Sequence, residues 1–326
     1  MVGDTDTAGR TMRAGILCGD GAVRVDEVAV PAPGPDEVRL RLEGCGVCGS
    51  DVPVWEGRPW FEYPREPGAP GHEAWGRVDA VGAAVTGFAE GERVAALSYR
   101  GYADYDVAPA SALVRLAPSL DGQPFPGEAL GCAINVFARS RITAGETVAV
   151  IGAGFLGSTV VQLAARAGAR VIAISRRQAA RDAARAMGAS EAIAFDEASV
   201  ERIEALTAGA LCDVVVEAAG AQATLDLAAP LTRVRGRLVI AGYHQDGRRE
   251  VDMQLWNWRG LDVINAHERD PRVYVAGVER AAGAVARGEL DPTPLYSHRF
   301  SLAQLGDAFA AVAARDLPVV KAIVCP

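Results

Sequence analysis

From about residue 12 to residue 116 the chain alternates short apolar runs with turn residues, and the runs at 22–30, 37–42, 76–81, 93–97 and 103–107 read as β-strands. A proline-rich segment, 31–35, and a glycine-punctuated one, 82–91, separate them. This half predicts a β-rich, barrel-like domain over residues 13–127, preceded by a polar, disordered leader at 1–12. After Gly127 the rhythm changes. A β run at 147–151 is followed by an amphipathic helix at 155–167, a strand at 171–175 and a helix at 178–187. Further strands are expected at 192–195, 213–217, 237–241 and 261–265. Six strands alternating with helices require a parallel sheet covered on both faces, which predicts a doubly wound α/β domain over 128–270. The remaining 271–326 predicts helices at 274–287 and 302–314 and a terminal strand at 319–324 that returns to the first domain.

The chain has 326 residues, 50% of them hydrophobic and 23% charged, enough for about two cores of ordinary globular composition. A net charge of −8 argues against a nucleic-acid partner, because a phosphate backbone demands a basic face. No apolar stretch approaches the ~20 residues of a membrane span, and no hydrophobic signal segment follows the start. Six cysteines scattered at 18, 45, 48, 132, 212 and 325 read as reduced thiols of a cytoplasmic protein.

Gly152, Gly154 and Gly157 satisfy G-x-G-x-x-G between a strand and a helix. The first permits a tight turn, the second lets backbone approach a diphosphate, and the third lets helix and strand pack closely. The next strand ends Ser175-Arg176-Arg177, with no acid to accept a ribose 2′-hydroxyl. A hydroxyl and two guanidinium forks suit a 2′-phosphate, so NADP(H) is expected over NAD(H). The alternative is that both arginines form only a solvated helix start.

Upstream, Cys45-Gly46-Val47-Cys48-Gly49-Ser50-Asp51 is followed by Gly71-His72-Glu73, and later by Glu128 and Cys132. Thiolate, imidazole and carboxylate together are the donor set of a catalytic zinc with one open position. A structural zinc knuckle would need a second C-x-x-C or H-x-x-x-H partner, and a redox dithiol a thioredoxin-like βαβ setting.

These stretches, with Val319-Val320-Lys321, resemble in order and over nearly the whole chain the medium-chain dehydrogenase/reductase superfamily, specifically its zinc-dependent alcohol and polyol dehydrogenases of sorbitol dehydrogenase type. The resemblance implies a GroES-like catalytic domain, an inserted Rossmann domain, and a zinc site in the cleft. It gives Cys48 and His72 as metal ligands, with Glu128 or Cys132 as the third. Glu73 would be a nearby carboxylate able to join them, and Asp51 would orient the imidazole of His72. Ser50 would carry the proton, and Lys321 would contact the diphosphate unless it is an ordinary surface lysine. Two departures stand out. The region after 93–97 carries no four-cysteine lobe, so one zinc per subunit is expected. Pro53 occupies the place of a frequent relay histidine.

The implied activity is hydride transfer between NADP(H) and a secondary alcohol or ketone, of polyol or cyclitol type, by a homodimer or homotetramer. Competing readings are a zinc-free quinone or enoyl reductase on the same scaffold and a non-catalytic dinucleotide-binding protein. Among the remaining histidines, His267 is placed to meet substrate or cofactor at a strand end, whereas His244 and His298 lie outside the motifs. Trp55, Trp60 and Phe61 are candidate pocket walls or core residues.

Overall fold

The computed structural model describes residues 9–314 and 318–326. They divide into two compact units. The first runs to Gly131 and takes in Val278–Glu289 and Tyr296–Pro326; the second comprises Cys132–Gly277 and Leu290–Leu295.

The first unit begins with the hairpin β1 (Thr11–Gly19) and β2 (Ala22–Ala29), then β3 (Glu37–Gly46), the short helix α1 (Val52–Trp55), β4 (Glu73–Val81), β5 (Arg93–Ala96), β6 (Tyr105–Pro109) and β7 (Leu113–Arg115). Most of the predicted leader lies outside the described residues. Its end does not, because Thr11 and Met12 pair with Ala29 and Val28, and Met12 packs with Ala14, Val30 and Ala103.

Helix α2 (Gly127–Ser140) leads into the second unit, where β8 (Thr147–Ile151), α3 (Phe155–Arg166), β9 (Arg170–Ser175), α4 (Gln178–Ala186), β10 (Glu191–Ala194), α5 (Val200–Thr207), β11 (Cys212–Glu217), α6 (Gln222–Leu231), β12 (Thr232–Ile240), α7 (Met253–Arg259) and β13 (Asp262–Asn265) follow. Every pairing in this sheet is parallel and its order is β10-β9-β8-β11-β12-β13. The chain therefore starts in the middle, winds outward one way, and returns to wind the other. Its central strands are nearly unbroken apolar runs because helices cover both faces, as Ile151, Ile172, Ile174, Val215 and Leu238 show by full burial. Each such side chain contributes about 1.5–3 kcal/mol. Helix α4 carries its arginines on one side and buries Ala180 and Ala184, four apart, on the other.

Helix α8 (Pro271–Ala286) then leads to β14 (Tyr296–Ser301), α9 (Leu305–Ala313) and β15 (Lys321–Cys325). These last strands complete a seven-stranded sheet ordered β14-β15-β3-β4-β5-β7, with β6 also on β3. Its core gathers Leu17, Leu40, Val78, Tyr102 and Phe309. Among the described residues, no helix is long and apolar enough to cross a membrane.

Candidate metal centre and dinucleotide turn

Strands β3 and β4 pair with Gly46 opposite Glu73, and β15 joins the other edge of β3 with Ile323 opposite Gly46. Three adjacent strands thus bring together the chain leading to Cys48, the residue following His72, and Lys321. The ligand atoms of Cys48, His72 and Glu73 all lie within 4.8 Å of one another.

The imidazole is oriented from behind. His72 Nδ1 faces Pro70 O at 3.0 Å and Asp51 Oδ1 at 3.2 Å, so Nε2 is the nitrogen left for a metal. Asp51, almost fully buried, accepts on Oδ2 from the Tyr102 hydroxyl at 2.7 Å. Tyr102 has no exposed surface, and its backbone is tied down through Tyr102 N to Gly68 O and Gly15 N to Tyr102 O. Burial pulls the His72 pKa down, but the Asp51 charge and hydrogen bond, with the Cys48 sulfur alongside, hold it well above the ordinary value.

Glu73 has no exposed surface, and Lys321 Nζ lies 2.5 Å from its carboxylate. The ammonium donates to Oε1 and to Val47 O at 3.2 Å, and lies 2.5 Å from Oε2 as well. Burial raises the Glu73 pKa against the pull of Lys321 and His72. Burial works against the Lys321 charge, but Glu73 and Cys48 outweigh it and keep the ammonium protonated. Lys321 at 3% exposure is no surface lysine. Its ammonium is held by a buried carboxylate.

A thiol, an imidazole nitrogen and a buried carboxylate form a donor set that fits zinc. Glu128, half-buried in the first turn of α2, lies outside this trio, yet its charge is felt at both Glu73 and Lys321. Cys132, one turn later, belongs to the second unit and donates to the Tyr274 hydroxyl at 3.4 Å. Ser50 is half-buried in the single 3-10 turn Gly49–Asp51 that follows Cys48. Cys45 is fully buried, with its thiol pKa pushed up by burial and then by Glu73. Trp55 stacks on Phe309 with ring centroids 6.1 Å apart and belongs to the packing, while Trp60 is exposed.

In the second unit the glycine turn joins β8 to α3. Gly152 has φ +99°, and a Cβ at Gly157 would meet Gly152 O at 2.0 Å, so helix and turn approach as only glycine allows. Gly154 is the N-cap of α3 and offers open space at its Cα, leaving the helix N-terminus accessible to an anion. Ser175, nearly buried, ends β9; Arg176 is exposed with its guanidinium 5.8 Å from the Phe195 ring centroid. Arg177 is the N-cap residue of α4 and its pKa is lowered by burial. Arg181 braces this strand end, donating to Ser175 O at 2.7 Å and Arg176 O at 2.9 Å. His244 binds Glu217, and His298 stacks on Phe300.

Tyr102 and Arg181 escape the sequence reading. A tyrosine in a glycine-flanked loop carries no signal, whereas Arg181, four residues after Arg177 on an amphipathic helix, could have been placed on the same face.

A GroES-like β domain holding a zinc-type donor cluster, joined to a Rossmann unit with a diphosphate turn, defines a two-domain metal-dependent dehydrogenase. Residues 34–118 match the alcohol dehydrogenase GroES-like domain and residues 156–280 the zinc-binding dehydrogenase domain. Human sorbitol dehydrogenase is 28% identical over 337 aligned residues, covering 90% of each chain. The 2-dehydro-3-deoxy-L-galactonate 5-dehydrogenase of Pseudoalteromonas atlantica is 27% identical, over 92% of this chain and 94% of its own. Among solved structures, a zinc-binding dehydrogenase of Sinorhizobium meliloti bound to NADP superposes with a TM-score of 0.84 at 29% identity, covering 97% of this chain and all of that one. The chain belongs to the zinc-dependent alcohol and polyol dehydrogenases of the medium-chain dehydrogenase/reductase superfamily, and is an oxidoreductase acting on alcohols.

Proposed function

We propose that the protein transfers hydride between NADP(H) and a secondary alcohol or its ketone, of polyol or cyclitol type, using one zinc held by Cys48, His72 and a carboxylate. The observation that carries this reading is the convergence of the Cys48, His72 and Glu73 ligand atoms to within 4.8 Å of one another. Glu128 is the further ligand we favour over Cys132, whose thiol is engaged with Tyr274. When bound, zinc supplies Lewis acidity to the substrate oxygen and the nicotinamide supplies or takes the hydride.

Asp51 keeps a hydrogen on His72 Nδ1 and so leaves Nε2 as the nitrogen that would meet the metal. Lys321 pairs with Glu73 and fixes its carboxylate beside Cys48 and His72, a contact we assign in place of the diphosphate contact the resemblance implies. The Ser50 hydroxyl, two residues beyond Cys48, accepts the proton leaving the substrate hydroxyl and passes it outward.

Ser175, Arg176 and Arg177 receive the 2′-phosphate. Burial lowers the pKa of Arg177, and a bound dianion would offset that desolvation. The Sinorhizobium relative with NADP bound supports the same preference. We further infer a homodimer or homotetramer acting on a small molecule in the cytoplasm, where the six cysteines stay reduced.

The test is elemental analysis of the purified protein with kinetics on a polyol and cyclitol panel. About one zinc per chain, loss of zinc in Cys48→Ser, and a kcat/KM for NADP+ at least tenfold that for NAD+ are expected. Turnover that survives chelators and Cys48→Ser, or a preference for NAD+, would overturn the metal or the cofactor assignment respectively.

A further inference from the structure

Two aromatic rings stand where neighbouring strands leave the second sheet. Ile240 closes β12 opposite Asn265, the end of β13. Tyr243 follows the first by three residues and His267 follows the second by two, and their rings stack with centroids 5.5 Å apart and planes 11° from parallel. Tyr243 remains 49% exposed.

The loop bearing Tyr243 is clamped. A Cβ at Gly242 would meet Gly220 N at 2.2 Å, and one at Gly220 would meet Tyr243 O at 2.7 Å, so the loops after β11 and β12 lie backbone on backbone. Beneath them Glu217, with no exposed surface, accepts on Oε1 from Ala219 N, Gly220 N and the Thr224 hydroxyl at 2.7–2.8 Å. Its Oε2 accepts from His244 Nε2 at 3.0 Å. Arg249 Nε donates to His244 Nδ1 at 2.9 Å, which fixes the tautomer with its hydrogen on Nε2, and Arg249 Nη2 also holds Gly220 O at 3.2 Å. A buried carboxylate, an imidazole and a guanidinium thus hold a half-exposed tyrosine in place. Neither the glycine turn nor the metal cluster uses any of them.

Their position says what they face. The order in which the chain adds strands reverses between β8 and β11, and ligands of such sheets lie outside the strand C-termini at that switch point. A dinucleotide with its diphosphate on the β8 turn and its adenosine toward β9 directs its other half over β11 and β12. At about 4.8 Å per strand, β12 lies ~10 Å and β13 ~14 Å from β8. We propose that the Tyr243–His267 stack is the wall that receives the nicotinamide end of the dinucleotide, with Glu217, His244 and Arg249 as positioning residues behind it. The proposal rests on the dinucleotide-binding reading. A planar pyridine carboxamide is a matching partner for an exposed aromatic, and a ring already stacked and clamped loses little freedom on contact.

Calorimetric titration of the full chain with NADP+ and with 2′-phospho-ADP-ribose, identical but for the nicotinamide, tests it. NAD+ with ADP-ribose gives the same comparison without the 2′-phosphate. Tyr243→Ala is expected to weaken NADP+ about tenfold and His267→Ala about threefold. Tyr243→Phe should stay within twofold of the wild type, and the nicotinamide-free compound should stay within twofold in every variant. An unchanged NADP+ affinity in Tyr243→Ala, or equal weakening of both compounds, overturns the wall. A wild-type protein that binds none of the four overturns the dinucleotide reading itself.

Discussion

Replacing Lys321 with methionine keeps the length and apolar stem of the side chain and removes its charge from beside a carboxylate with no exposed surface. Breaking a buried pair from one side costs about 3–5 kcal/mol, because the remaining ion is left uncompensated. For a unit of roughly 170 residues, each kcal/mol lowers Tm by about 2–4 °C, so the metal-free variant should melt roughly 6–20 °C below the metal-free wild type. With zinc bound the outcome changes. Glu73 lies within 4.8 Å of the Cys48 and His72 ligand atoms, so a divalent cation would supply the compensation the lysine no longer gives. Scanning calorimetry of both proteins, stripped and zinc-loaded, should show the gap between them shrink by half or more on loading. An equal gap in both states would place Glu73 away from the metal. No gap in either would mean that the carboxyl is neutral in the folded chain.

Tyr102→Phe leaves Asp51 Oδ2 without its donor, and chelator competition should show zinc held about tenfold more weakly while the fold persists; unchanged zinc affinity would confine Tyr102 to packing. Asp213 is desolvated, yet Thr147 N–H and Arg233 hold its pKa below the usual carboxylate range, so its stabilisation is complete above the unfolded value of about 3.9 and fades as pH falls through the folded pKa. Asp213→Asn should therefore destabilise near neutrality by about 1 kcal/mol or less and converge with the wild type in acid, read by urea melts at several pH values. Cys212, pushed up to about 12 by burial and then Asp213, and Cys45, raised by burial, should resist alkylation at pH 8 until the chain unfolds, as peptide mass mapping would show.

The doubly wound sheet was legible because a parallel sheet covered on both faces leaves no room for polar alternation: 148–151 and 171–174 are unbroken apolar runs. The other sheet was read less completely. β14 has the sequence Tyr-Ser-His-Arg-Phe-Ser and sits at the sheet edge with one face wet, so its hydrophobic signal is diluted. β7 is only three residues long. β12 starts at Thr232, well before the apolar run, because Arg235 takes φ +56° and the ladder shifts register there. The helix expected over 302–314 opens with a separate 3-10 turn, Leu302–Gln304, closed by the Ser301 and Gln304 side chains. At the metal centre, Cys48 and His72 announce themselves by neighbouring motifs, whereas the Glu73–Lys321 pair spans 248 positions and exists only through strand register. One trace of it was readable: a single lysine inside the apolar run 319–324 has to find a buried anion.

The seating of β15 against β3 also orders events during synthesis. Everything needed to finish the second unit's central sheet leaves the ribosome before β15 does, so that sheet can assemble while the first one still lacks the strand that joins β14 to β3. Until Lys321 arrives, the carboxylate of Glu73 lacks the ammonium that faces it in the finished sheet.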